Sequence, residues 1–259
     1  RYSWSRFKRR RIQSILIYRP RVPNRSLRPG RYTVHRPRKE KQMDYTIQWY
    51  PSKNFSPGRR KYGTQAEQVL GIVDHITAGP YPGCRDWLCN PEAKASAHYI
   101  ITRKGEIVQL VKESDTAWHA GIVNKPNWDL YTKMGFNPNR WTIGIEHEEY
   151  SGDGEPGLTE VQYQASLWLH KQLAAKYSFP TDNEHIVGHY RIDSVERPNC
   201  PGPNFPWTRL FNDLNGVVDW KKAIMDAGVQ EKIIGQGHDP DEPAPKWFVV
   251  ATILNHIKK

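Results

Sequence analysis

The apolar residues of this chain come in short runs broken by polar loops, and this spacing limits its fold more than any other feature. Val69-Leu-Gly-Ile-Val-Asp-His-Ile76 reads as one buried strand. Residues 97–103 and 106–111 read as two more, joined as a hairpin across Lys104-Gly105. Residues 141–149 alternate: Ile143, Ile145 and His147 share one face, while Thr142, Gly144, Glu146 and Glu148 share the other. The strongest helix covers about residues 159–177, where Thr159 and Gln162 form a capping box and Val161, Ala165, Leu169 and Leu173 recur near helical spacing. A short helix is expected over 207–214. Residues 79–91 and 121–140, punctuated by Gly and Pro, read as loops, the second of the sort that shapes a binding site. Residues 43–63 read as an irregular lead-in. Strands interspersed with helices predict an α/β domain with a mixed central β-sheet flanked by helices.

No run approaches the roughly 18 apolar residues that a membrane-spanning helix requires. Three cysteines cannot build a disulfide scaffold, which leaves packing or a metal to hold the core. The formal charge of +11 is unevenly placed. Residues 1–41 carry 15 of the 38 Lys and Arg and a single acid, Glu40, a local +14; the rest of the chain nets −3. The expected organisation is a basic, disordered extension over 1–42, a main domain over 43–215, and a small C-terminal helical unit over 216–259. The extension suits an anionic envelope polymer or nucleic acid. Equally, Met43 begins a more ordinary sequence, and the arm is then an appendage without a role in the chemistry. The apolar stretch Ile15-Leu-Ile17 is shorter than the about 7–15 residues of a signal-peptide core, so no secretion signal is expected.

Three residues are candidate metal ligands. His75 ends the first core strand, His189 ends the apolar run Ile186-Val-Gly-His189, and Cys200 opens Cys-Pro-Gly-Pro203. Two imidazoles and a thiolate suit zinc, and three protein ligands leave a fourth position for water. The long gap between His75 and His189 excludes a local zinc finger, so these ligands meet only in a preformed fold. Taken singly, each reads more readily as a packed histidine or a buried free thiol than as a ligand.

Four segments, in order, carry a resemblance: Val73-Asp-His-Ile-Thr-Ala-Gly79; Ser96-Ala-His-Tyr-Ile-Ile-Thr-Arg-Lys-Gly-Glu-Ile-Val-Gln-Leu-Val111 with Ala117-Trp-His-Ala-Gly121; Thr142-Ile-Gly-Ile-Glu146; and Gly188-His189 with Arg197-Pro-Asn-Cys-Pro-Gly202. Together they resemble the zinc-dependent N-acetylmuramoyl-L-alanine amidases of the amidase 2 type, a group that includes phage endolysins, bacterial autolysins, recycling amidases and animal peptidoglycan recognition proteins. The resemblance implies that His75, His189 and Cys200 hold Zn2+, with cysteine in place of the aspartate of some branches. It implies that Glu146 is the catalytic glutamate, a role the chemistry supports: amide hydrolysis needs a group to take a proton from water and return it to the leaving nitrogen. Gly144, on the same strand face, leaves room for a ligand. Where the family often has a lysine two residues before the third ligand this chain has Pro198, so Arg197 becomes the candidate for holding the oxyanion. Ala97 stands where other branches place a tyrosine, which fits the glutamate-type branch.

By the same resemblance His119 is a candidate substrate contact. His98 is a second, or else supports a ligand or is merely packed. Glu148 and Glu149 are expected to face solvent. Cys84 and Cys89 either pair or stay free, and Trp87, Trp128 and Trp141 either line a sugar groove or pack. The implied activity is hydrolysis of the amide between N-acetylmuramic acid and L-alanine in peptidoglycan, by a protein held in the cytoplasm until lysis or exported to the wall by another route. The C-terminal unit resembles the tail of some endolysins, which implies wall attachment; the alternative is a hairpin that caps the domain. The competing functions are a non-catalytic peptidoglycan binder on the same fold, which usually lacks a metal ligand, and a nucleic-acid binder, which only residues 1–41 suggest. A zinc deaminase would carry Cys-x-x-Cys ligands, absent here.

Overall fold

The computed structural model describes residues 45–59, 68–149 and 157–217. The expected basic extension over 1–42 and nearly all of the expected unit over 216–259 lie outside the described residues. Among the described residues eight strands occur in chain order: β1 (Ile47–Trp49), β2 (Phe55–Ser56), β3 (Gly71–Ile76), β4 (Tyr99–Ile101), β5 (Ile107–Gln109), β6 (Thr116–Ala117), β7 (Thr142–His147) and β8 (Ile186–Gly188). Six form one sheet in the order β1-β5-β4-β7-β3-β8, and β2 pairs with β6 apart from it. The β4–β5 hairpin is antiparallel and the other pairings of the large sheet are parallel, so the sheet is mixed as expected. β3 lies between β7 and β8, and Gly71 through His75 are buried. That position explains its near-continuous apolar run, since a parallel strand covered on both faces has no polar side to show.

The helices are α1 (Gly83–Cys89), α2 (Asp129–Met134), α3 (Glu160–Tyr177) and α4 (Trp207–Leu214). α3 is the crossover between β7 and β8. It begins at the expected capping box, Thr159 Oγ1 accepting from Gln162 N–H at 3.2 Å and Gln162 Oε1 accepting from Thr159 N–H at 3.3 Å. With α4 it covers one face of the sheet, packing Tyr163, Leu169, Leu173 and Leu210 on Ile72, Ile143, Ile145 and Ile186. On the opposite face α1 packs Cys84 and Leu88 against Ile100, Val108 and Leu110, while Trp128, Trp141 and Ile192 pack on Val73 and Val187.

Four expectations need correction. The supposed loop over 79–91 contains α1, whose buried side is only Cys84 and Leu88, too few positions to show a period between its flanking prolines. The loop over 121–140 contains α2, which stops at Gly135 in the left-handed conformation (φ 71°). The lead-in contains β1, an edge strand whose three side chains are all exposed, so no apolar alternation betrays it. Val161 is 51% exposed and is not part of the buried stripe of α3.

Candidate active site

β3, β7 and β8 are parallel neighbours, so their C-terminal ends lie together, the usual place for a ligand in an open α/β sheet. His75 and Glu146 are cross-strand partners there and leave the same face. His189 follows β8 directly, opening the 3-10 turn His189–Arg191. Gly188 admits the Cys200 loop: a Cβ on it would stand 2.6 Å from Pro201 Cδ. Tyr190 N–H donates to Cys200 O at 3.0 Å and holds that loop beside His189.

The three donors converge. His75 Nδ1 is 3.1 Å from His189 Nδ1 and 3.9 Å from Cys200 Sγ, and one ligand atom from each residue lies within 4.8 Å of the other two. The outer partners fix which ring nitrogens carry protons. His189 Nε2 is 3.1 Å from the carbonyl of Ala120, which only accepts, so Nε2 holds the proton. Thr142 Oγ1 donates to Pro138 O at 2.7 Å and therefore accepts from His119 Nε2–H at 3.2 Å. His119 Nδ1 is then free to accept from His75 Nε2–H at 3.1 Å.

Both Nδ1 atoms thus face each other as bare lone pairs at 3.1 Å, with only a thiol, a weak donor, nearby. Two acceptors so close repel unless a cation lies between them. Nitrogens about 2.0–2.1 Å from a tetrahedral ion stand about 3.3 Å apart, so the residues fit zinc. Burial keeps the metal-free cluster uncharged. It lowers His75 well below the usual imidazole range, with help from His189 and His119, and takes His189 down to about 4. It pushes the Cys200 thiol far up, and the nearby charge of Glu146 adds to that rise.

Glu146 is the matching acid. Its Oε2 is buried without a hydrogen-bond partner among the described residues. Burial pushes its carboxyl up to about 8 against the opposing charge of Arg197. Arg197 itself is exposed, and its Nη1 donates to Glu196 O at 3.0 Å.

Residues 65–203 match the family model described as Amidase_2, N-acetylmuramoyl-L-alanine amidase. The chain belongs to that family. N-acetylmuramoyl-L-alanine amidase A of Achromobacter lyticus is 29% identical over 185 residues, 65% of this chain and 93% of that protein. The 1,6-anhydro-N-acetylmuramyl-L-alanine amidase AmpD of Salmonella typhimurium is 37% identical over 117 residues, 45% of this chain; the match spans 56% of AmpD, little more than half its length. The solved complex of the amidase AmiD of E. coli with anhydro-N-acetylmuramic acid-L-Ala-D-gamma-Glu-L-Lys aligns over 80% of this chain and 79% of that one, with 25% identity and a TM-score of 0.47.

In this amidase the other histidines of the sequence reading are not exposed to a groove. His119 is 6% exposed and has both ring nitrogens engaged, by His75 and Thr142. His98 is fully buried: Nδ1 accepts from Gly144 N–H at 3.0 Å, and Nε2 lies 2.9 Å from Arg59 Nη2 and 3.2 Å from Asp115 O. The space at Gly144 belongs to His119, since a Cβ there would stand 2.3 Å from His119 Cγ. Gly144→Ala is expected to lower stability by roughly 1–3 kcal/mol through overpacking, read by denaturant unfolding.

Glu148 and Glu149 are buried, not solvent-facing. Glu148 accepts from Tyr81 N–H at 2.9 Å and Arg103 N–H at 2.7 Å, tying together the loops that follow β3 and β4. Cys84 and Cys89 are free thiols. Trp128 and Trp141 pack on each other in the interior, whereas Trp87 is 56% exposed and lines a cleft of about 290 Å³ with Thr77, Gly79 and Tyr81, just past the end of β3. Sequence reasoning missed Asn139, Thr142 and the carbonyl of Ala120, which hold the ligands from outside. No motif marks a backbone carbonyl or a turn asparagine, so only the fold reveals them.

Proposed function

We propose that this amidase hydrolyses the amide between N-acetylmuramic acid and L-alanine in peptidoglycan in a zinc-dependent reaction, with His75, His189 and Cys200 as the ligands. The observation that carries the reading is the pair of bare Nδ1 lone pairs beside a thiol, one strand away from a carboxylate oxygen that has no partner among the described residues. Zinc there would lower the pKa of water to roughly 7 and polarise the scissile carbonyl. Glu146 takes the proton of the attacking water on its carboxylate. The departing amine then collects that proton from the Glu146 carboxyl. Arg197, whose positive charge acts on Glu146, would offset negative charge as it builds on the amide oxygen. The cleft along Thr77 to Trp87 receives the chain of the substrate.

Digestion of purified sacculi tests this, with the products read by mass spectrometry. Separated glycan strands and stem peptides bearing a free L-alanine amine are expected. New reducing sugar ends, or cuts within the peptide, would overturn the assignment. Stripping the metal with a chelator should stop the digestion, and added zinc should restore it. For the basic arm, an anionic wall polymer is the partner whose charge fits. Truncation before Met43 should leave hydrolysis intact and abolish retention on that polymer; retention that survives the truncation removes the arm from wall binding.

A further inference from the structure

Both imidazole ligands are held from behind by one short stretch of chain. His75 Nε2–H donates to His119 Nδ1, and His189 Nε2–H donates to the carbonyl of the very next residue, Ala120, each at 3.1 Å. Two consecutive residues therefore set the tautomer and ring orientation of ligands that come from different strands. These partners keep each proton on Nε2 and each Nδ1 bare toward the centre.

That stretch is seated by a single atom. Asn139 Oδ1 accepts from His119 N–H at 3.0 Å and from Ala120 N–H at 2.6 Å. An amide oxygen has two lone pairs, enough for both donors. Asn139 stands in the 3-10 turn Pro138–Arg140, and Asn137 Oδ1 caps that turn by accepting Asn139 N–H at 2.9 Å. Asn137 Nδ2 also donates to Gly121 O at 3.0 Å, so the turn grips the stretch at a further point. The same turn offers Pro138 O to Thr142 Oγ1, which completes the line of bonds to His119 Nε2.

We propose that Asn139 is a positioning residue for the metal centre: by anchoring the adjacent N–H groups of His119 and Ala120 it orients His75 and His189 together. The inference rests on the metal centre proposed above and adds to it a residue that touches neither metal nor substrate. Its loss frees the stretch to shift, and one shift disturbs both ligands, so the effect on metal binding exceeds that of losing one ordinary surface hydrogen bond.

The test is zinc affinity of the full chain, by competition with a chromophoric chelator, together with the visible absorption of the cobalt-substituted protein. Asn139→Ala is expected to weaken zinc binding by about 10–100-fold, the range for loss of an outer partner, and to change the cobalt bands. Asn139→Asp, which keeps the accepting oxygen, should restore affinity to within about threefold of wild type, where a merely structural role would give no such rescue. Should Asn139→Ala fail to fold, the pair His119→Leu and His119→Asn decides. The asparagine retains an acceptor for His75 and should bind zinc more tightly than the leucine. Unchanged affinity and spectra in folded Asn139→Ala, equal losses in Asn139→Ala and Asn139→Asp, or equal affinities in the two His119 variants overturn the proposal while leaving the metal centre standing. A wild-type chain that binds no zinc removes both.

Discussion

Exchanging Cys200 for serine is expected to cut zinc affinity by more than the roughly 10–100-fold that loss of an outer partner costs, and to remove hydrolysis with it. The sulfur is one of the three proposed protein donors among the described residues, and a hydroxyl does not ionise to replace it. The exchange should also change how binding depends on pH. In the metal-free chain burial holds Cys200 as a thiol through the neutral range, whereas His75 and His189 shed their protons in acid, His189 at about 4. Capture of an ion at pH 7 therefore releases a proton from sulfur, in addition to any that leaves Glu146, whose carboxyl burial raises to about 8. Affinity accordingly rises with pH through the neutral range, and the serine variant loses the share of this slope that sulfur supplies. Calorimetry in buffers of different ionisation heat counts the proton. Release that is the same in wild type and Cys200→Ser would remove Cys200 from the ligand set.

The parts of this fold that could be read from sequence are those where burial is both apolar and periodic. β3 and β7 announce themselves because Ile72, Val73, Ile143 and Ile145 pack against helices or aromatic rings on one face or the other. α3 is visible through its capping box and through the buried Ala165, Leu169 and Leu173, but its inward side is not wholly apolar. Gln162, Ser166 and His170 are all buried there, while Val161 faces out. These polar groups are tolerated because the sheet below them is polar at matching points: His170 Nε2 lies 3.2 Å from Asp74 Oδ2, and Ser166 Oγ lies 2.9 Å from His147 Nε2. Burying such groups is costly unless they find each other, and pairings across 19 and 96 positions of chain leave no local pattern.

The candidate site divides in the same way. The ligand trio and Glu146 were legible through the resemblance of four ordered motifs; spacing and strand face alone left each of them open to a packed histidine, a buried thiol or a surface carboxylate. What surrounds them was not. Gly144 resembles a gap left for substrate, yet the gap is filled by the His119 ring. Glu148 alternates with Glu146 on paper, but β7 ends at His147, and the carboxylate of Glu148 turns in to accept two backbone N–H groups. Alternation predicts a side chain's direction only while the strand lasts.

Glu146→Gln is expected to keep one zinc per chain and lower kcat by about 10²–10⁴-fold, the usual worth of a general acid–base group. The amide preserves the shape of the carboxyl and cannot carry the proton from water to amine. The same exchange should leave a second trace, in the stability of the metal-free protein. Burial raises the Glu146 carboxyl from its ordinary value of 4.5 to about 8, with Arg197 pulling the other way. A carboxyl raised on folding favours the native state while it stays protonated. That contribution is whole below pH 4.5 and is lost as pH climbs through about 8, where the native state must hold a buried charge with Oε2 unpartnered. Glutamine escapes this loss. The melting temperature of chelator-stripped Glu146→Gln should therefore match that of wild type near pH 4.5 and exceed it near pH 9. Zinc content, turnover on sacculi and melting at the two pH values measure the three consequences on one variant. Turnover within a few-fold of wild type would move the acid–base role to another residue. A melting difference independent of pH would show that Glu146 is not the buried, raised carboxyl the site requires.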